Sequence, residues 1–96
     1  MAHVIPCEDG KLEVEGPITI DSAASVVEHA IALFGRGNVV IDLARVTEVD
    51  STAVSMLLEW QREAVRRNGK VSVVNIPQNL QSLVQLYGVS ELMKLA

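Results

Sequence analysis

The sequence predicts a single α/β domain over residues 1–96, a mixed β-sheet with helices packed mainly on one face. Three features carry that expectation. Two extended stretches flank the turn signal Glu8-Asp9-Gly10, a nearly continuous Val- and Ile-rich run fills Asn38 to Leu43, and three segments of helical apolar spacing each end at a glycine. Strands that alternate with amphipathic helices bury both sets of apolar faces as a helix layer on a sheet.

The first extended stretch is His3 to Cys7 and the second Lys11 to Glu15, where Leu12 and Val14 alternate with Lys11, Glu13 and Glu15 as in a strand buried on one face. Gly16-Pro17 is expected to bend the chain into Ile18-Thr19-Ile20. Asp21 then reads as the N-cap of a helix whose Ala23, Val26, Val27, Ala30, Ile31 and Phe34 form one stripe, stopped by Gly35-Arg36-Gly37. Asn38 to Leu43 reads as a central strand, covered on both faces or by helices on one.

A short loop is expected to lead from that strand to a second helix, about Ser51 to Arg67, stopped by Asn68-Gly69. At 100° per residue its Val54, Leu57, Leu58, Gln61 and Val65 cluster on one side, bordered by Ala53 and Ala64. Thr52, Ser55, Met56, Glu59 and Glu63 fall on the far side. Lys70 to Ile76 reads as a further strand, and Pro77 separates it from a third helix, Gln78 to Tyr87, with Leu80, Leu83, Val84 and Tyr87 at helical spacing. Gly88 closes it, and Val89 to Leu95 is a short apolar tail.

Composition narrows the function. A 96-residue chain with 49% hydrophobic and 21% charged residues is an ordinary folded domain with no room for a second lobe or an interdomain cleft. Its net charge of -4 disfavours nucleic acid, which rewards a basic cluster; the local basic group Arg62, Arg66 and Arg67 is shadowed by Glu59 and Glu63. The single cysteine, Cys7, cannot form an intramolecular disulfide and is expected to be buried as a small hydrophobe. No signal peptide is read at the N-terminus and no apolar run approaches the ~20 residues of a bilayer span, so a cytoplasmic protein without direct membrane insertion is expected.

Enzyme constellations are missing from the sequence. There is no phosphate-cradling Gly-x-x-x-x-Gly-Lys-Ser/Thr loop, no dinucleotide-binding Gly-x-Gly-x-x-Gly and no His or Cys pair at metal-ligand spacing. His3 and His29 stand alone, without a nucleophile near either in sequence, and are expected to be solvated. Neither catalysis nor a metal or cofactor is therefore expected.

Attention falls instead on Asp50-Ser51-Thr52, an acid and two hydroxyls where a helix begins. These are preferred capping residues, and a cap contributes about 1 kcal/mol. The alternative is that Ser51 is phosphorylated or centres a protein interface, because unpaired N–H groups and the positive end of the helix dipole face outward there. A phosphate would add roughly 1.5–2 negative charges, favourable toward the helix and unfavourable beside Asp50. The expected interface comprises Asp50, Ser51, Thr52, Ser55, Met56, Glu59 and Trp60, with an exposed Met56 and a half-exposed Trp60 as adaptable apolar anchors. Packing of Met56 and Trp60 against the first helix as core flank is the alternative.

The run Val40-Ile41-Asp42-Leu43, followed by Val46, Val49, Asp50-Ser51 and an amphipathic helix, resembles the STAS domain family of anti-sigma factor antagonists and transporter-associated domains. The resemblance extends over nearly the whole chain, through Gly69-Lys70-Val71 to the last helix. Compact length, the segment from Asp42 to Ser51 and the closing Leu83-Val84-Gln85-Leu86-Tyr87-Gly88-Val89 resemble the MlaB-like branch, the small subunit of Mla-type phospholipid ABC transporters. That resemblance implies a cytoplasmic protein, peripheral to the inner membrane through its complex, that binds and supports the transporter's ATPase subunit in maintaining outer-membrane lipid asymmetry. The antagonist branch implies instead an anti-sigma factor and a serine kinase as partners, with Ser51 as the phosphorylated residue. Ala53 departs from that branch, which usually carries glycine there.

Overall fold

A computed structural model describes residues 2–8, 10–35 and 37–88. Its elements run β1 (His3–Pro6), β2 (Lys11–Ile18), α1 (Ala23–Ala32), β3 (Asn38–Val49), α2 (Thr52–Arg66), β4 (Lys70–Val74) and α3 (Gln78–Leu86). The sheet order is β1-β2-β3-β4, with β1 antiparallel to β2 and both β2/β3 and β3/β4 parallel. The opening hairpin closes at Gly10, whose φ of 73° suits a residue without a Cβ. Each parallel step is bridged by a helix, as parallel neighbours require.

One face of the sheet is buried and the other is polar. Leu12, Val14 and Ile18 of β2, Val39, Ile41 and Leu43 of β3, and Val71 and Val73 of β4 are buried, in one core with Val26 and Ala30 of α1, Leu57 of α2 and Leu80 and Val84 of α3. A fully buried aliphatic side chain contributes about 1.5–3 kcal/mol, so this layer is the main source of stability. Helices lie mainly on one face, and the central run Asn38 to Leu43 takes the one-sided alternative. The described residues hold no helix long and apolar enough to cross a membrane.

The strands are longer than their apolar runs. β2 continues through Gly16-Pro17 to Ile18 instead of bending there; register shifts on either side of Gly16, whose φ is 97°, absorb the irregularity within the β2/β3 ladder. β3 extends past Leu43 to Val49 because Glu15, Gly16, Pro17 and Ile18 of β2 pair with Arg45, Val46, Glu48 and Val49. The loop expected between the central strand and the second helix is therefore mostly strand. β4 stops at Val74, short of Ile76, with Asn75 at φ 54°.

Other readings also change. Ser22 rather than Asp21 precedes α1, and its hydroxyl serves the preceding loop. Cys7 is exposed, since it lies beyond the end of the edge strand β1, not under the helix layer. Tyr87 falls just after α3 and is exposed instead of completing its buried stripe. The two histidines are exposed. The tail Val89 to Leu95 lies outside the described residues.

Two local contacts fasten the strands and their connections. Gly69 follows α2, and a Cβ there would overlap the Gly37 carbonyl oxygen at the start of β3. Gly69→Ala should cost about 1–3 kcal/mol by forcing these backbones apart, whereas Gly35→Ala, with nothing within 4 Å of its Cβ, should leave the thermal midpoint nearly unchanged. Equal midpoints for the two variants would contradict this contact.

The second fastener is Asp42 on the polar face. Its carboxylate accepts the Ala44 N–H at 2.8 Å and the Asn75 amide at 3.1 Å, and lies 3.6 Å from the Lys11 ammonium, so it ties β3 to β2 and to the end of β4. The Ala44 N–H, then Asn75 and Lys11, hold its pKa below the ordinary value of 3.8 against the opposing effect of burial. A carboxylate with a depressed folded pKa stabilises the fold above its unfolded pKa and loses that contribution as pH falls through the folded one. Denaturant melts should therefore show stability falling below about pH 4, with a shallower fall in Asp42→Asn. An identical acid slope in that variant would count against Asp42.

Candidate functional site

The site forms where β3 ends beside β2. Val49 still pairs with Ile18, and the next N–H, that of Asp50, donates to the Ile18 carbonyl at 3.2 Å. The Asp50 carboxylate then joins two chain segments. One oxygen accepts the Ile20 N–H at 2.9 Å, and the other accepts the Thr52 N–H at 2.9 Å together with the Thr52 hydroxyl. Those bonds, the Thr52 hydroxyl foremost, hold the Asp50 pKa below 3.8 despite desolvation. Asp50 is thus the capping side chain of α2 and the latch of the β2–α1 loop.

Ser51 has the N-cap position but not the capping task. Its backbone is helical (φ -63°, ψ -21°), its side chain makes no cap hydrogen bond, and it is exposed. The N–H groups that an N-cap serine serves, here those of Ala53 and Val54, donate to the Asp50 and Ser51 carbonyls at 3.1 Å, which leaves the exposed Ser51 side chain without a capping task. Ser55 and Glu59 follow at four-residue intervals and are also exposed, which aligns the three along one ridge of α2. Glu59 is paired with Arg62 at 2.9 Å, and Glu63 with Arg66 and Arg67 at 3.0 and 2.7 Å. Thr52 is half-buried, its hydroxyl committed to Asp50.

Met56 and Trp60 do not belong to this surface. Met56 is 1% exposed and Trp60 0%, both in the core, so the expectation of an exposed Met56 and half-exposed Trp60 is overturned in favour of core packing. The buried face of α2 is Ala53, Val54, Met56, Leu57, Trp60 and Ala64, while Val65, expected in the stripe, is 66% exposed. The Trp60 indole N–H has no partner among the described residues, an uncommon state for a buried donor. The physical cause is width: α2 packs against α1, α3 and β4 at once, so its covered arc is broader than a sheet-facing stripe.

The missed residue is Ile20, 77% exposed beside Asp50. Nothing in its neighbourhood of the sequence marks it, since an apolar residue before a helix usually folds back onto it. Its position depends on a bond to a side chain 30 residues away. Among the described residues, no group of three His, Cys, Asp or Glu side chains could hold a metal ion.

This geometry can present a hydroxyl and an apolar side chain to another molecule. The family model described as "Mlab, STAS domain" matches residues 1–95. Among solved structures the chain is similar to the anti-sigma factor antagonist SpoIIAA in its unphosphorylated form, with TM-score 0.71 and 15% identity over 97% of this chain and 85% of that one. It is also similar to a sulfate transporter family protein from Wolinella succinogenes, with TM-score 0.68 and 19% identity over 93% of this chain and 74% of that one. At such identities these likenesses show a shared fold. No curated protein matches the sequence significantly.

Proposed function

Because the chain belongs to the MlaB-like STAS domain family, we propose that it is a non-enzymatic subunit that binds and supports the ATPase of an Mla-type phospholipid ABC transporter. It supplies contacts and the partner supplies hydrolysis. The observation that carries this reading is the division of labour at the start of α2: Asp50 performs the capping and Ser51 is left exposed, with no cap hydrogen bond. The proposed contact surface is Ser51, Ser55 and Glu59, held in place by Asp50 and Thr52. Localisation at the inner membrane would follow from the complex.

A second reading has its own support in the same hydroxyl. Ser51 is exposed beside Asp50 and makes no cap hydrogen bond, so a phosphate there would meet the helix N-terminus and a carboxylate together and could switch binding without unfolding the domain. In that case the protein is an anti-sigma factor antagonist. Purifying the tagged protein from its native host and identifying what accompanies it separates the two. A transporter ATPase supports the first reading; a serine kinase or an anti-sigma factor, without the ATPase, overturns it.

A further inference from the structure

Ile20 is the most exposed large apolar side chain of the β2–α1 loop, at 77%, and the loop that carries it is tightly held. The Ser22 hydroxyl donates to the Pro17 carbonyl at 2.8 Å and accepts the Thr19 N–H at 3.1 Å, while Ser22 N–H and Ala23 N–H both donate to the Thr19 carbonyl. Asp50 fixes the Ile20 backbone at 2.9 Å. An apolar side chain displayed on a loop this constrained loses little conformational entropy when another surface covers it. The same loop borders an open recess of about 640 Å³, whose lining among the described residues includes Asp21, Glu48 and Asp50 and no lysine or arginine.

We propose that Ile20 is the apolar anchor of the interface centred on Ser51, and that it seats in an apolar recess rimmed by lysine or arginine on the partner ATPase. This rests on the reading above and adds the partner's chemistry to it. Burying Ile20 against a second copy of this chain would bring two acidic rims together, and an anionic lipid surface would be repelled for the same reason. A basic rim meets the recess with opposite charge. Asp50 is a positioning residue in this arrangement, since its oxygens are occupied by Ile20 and Thr52.

The test uses the purified nucleotide-binding subunit of the host's Mla-type transporter, titrated with the full chain and its variants. Ile20→Ser should weaken binding about 30-fold or more, the range of a buried anchor. Leu86→Ser, equally exposed at 77% but on α3, should change it less than about threefold. Asp21→Lys combined with Glu48→Lys should slow association about tenfold at low salt and reduce its salt dependence. Thermal melts should be unchanged for all of these exposed sites. If Ser51→Glu weakens binding while Ile20→Ser binds as wild type does, the anchor assignment is overturned and the ATPase reading stands. Failure of the wild-type chain to bind overturns both. A wild-type dimer that Ile20→Ser disperses, or an equal loss in Leu86→Ser, overturns the assignment as well.

Discussion

Met56→Asp is expected to unfold the domain. Met56 is 1% exposed within the core, so aspartate there either carries an unpaired charge into apolar surroundings or is forced to stay protonated at neutral pH. Either outcome costs about 4 kcal/mol or more, a large part of the stability of about 5–15 kcal/mol typical of a folded domain. Ser55→Asp is the control one residue away: Ser55 is exposed, and an acid in the first turn of a helix is neutral or favourable. Circular-dichroism melts should show little folded population in Met56→Asp and a shift within about 0.5 kcal/mol in Ser55→Asp. Similar melting of the two would mean that the buried face of α2 is misassigned.

That pair also shows where the sequence was readable. The order of elements, the hairpin, the parallel central strand and the glycine stops follow from local signals that the tertiary structure reinforces: alternation at Leu12 and Val14, the Val39 to Leu43 run, and Asn68-Gly69 with Asn68 at φ 57°. The phase of α2 is a different matter. Val65, Leu58 and Gln61 pulled the expected stripe roughly 90° around the helix from the buried face, at 100° per residue. Periodicity identifies an apolar side but not how many neighbours surround the helix, and here α1 and α3 flank it. Strand length was also hidden, because residues such as Arg45 and Glu48 enter β3 through pairing with β2 rather than through their own apolarity. Chain extension there follows tertiary pairing.

Within the site, residue type made Asp50, Ser51 and Thr52 visible as a group, and only geometry assigned their tasks. Capping belongs to Asp50; the exposed hydroxyl belongs to Ser51. Ile20 was invisible because its placement depends on the Asp50 carboxylate, far away in sequence. Long-range polar contacts of this kind leave no periodic trace.

Ser51→Glu carries the largest expected effect on binding. The substitution puts a longer, charged side chain at the centre of the proposed interface, where its bulk holds the two surfaces apart and its carboxylate must lose water on burial. Its effect on the fold should be slight, within about 0.5 kcal/mol, because Ser51 is exposed, makes no cap bond and precedes a helix whose dipole favours an acid. Ser51→Ala should be milder, since it removes a hydroxyl without adding bulk or charge. The three proteins therefore separate a packed contact from a hydrogen-bonded one.

The most direct measurement is a calorimetric titration of the host's transporter ATPase subunit with the wild-type chain and with Ser51→Glu, each confirmed folded by its melt. The wild type should bind saturably, and Ser51→Glu should lose about 30-fold or more in affinity. Equal affinity of the two proteins would contradict the proposed interface.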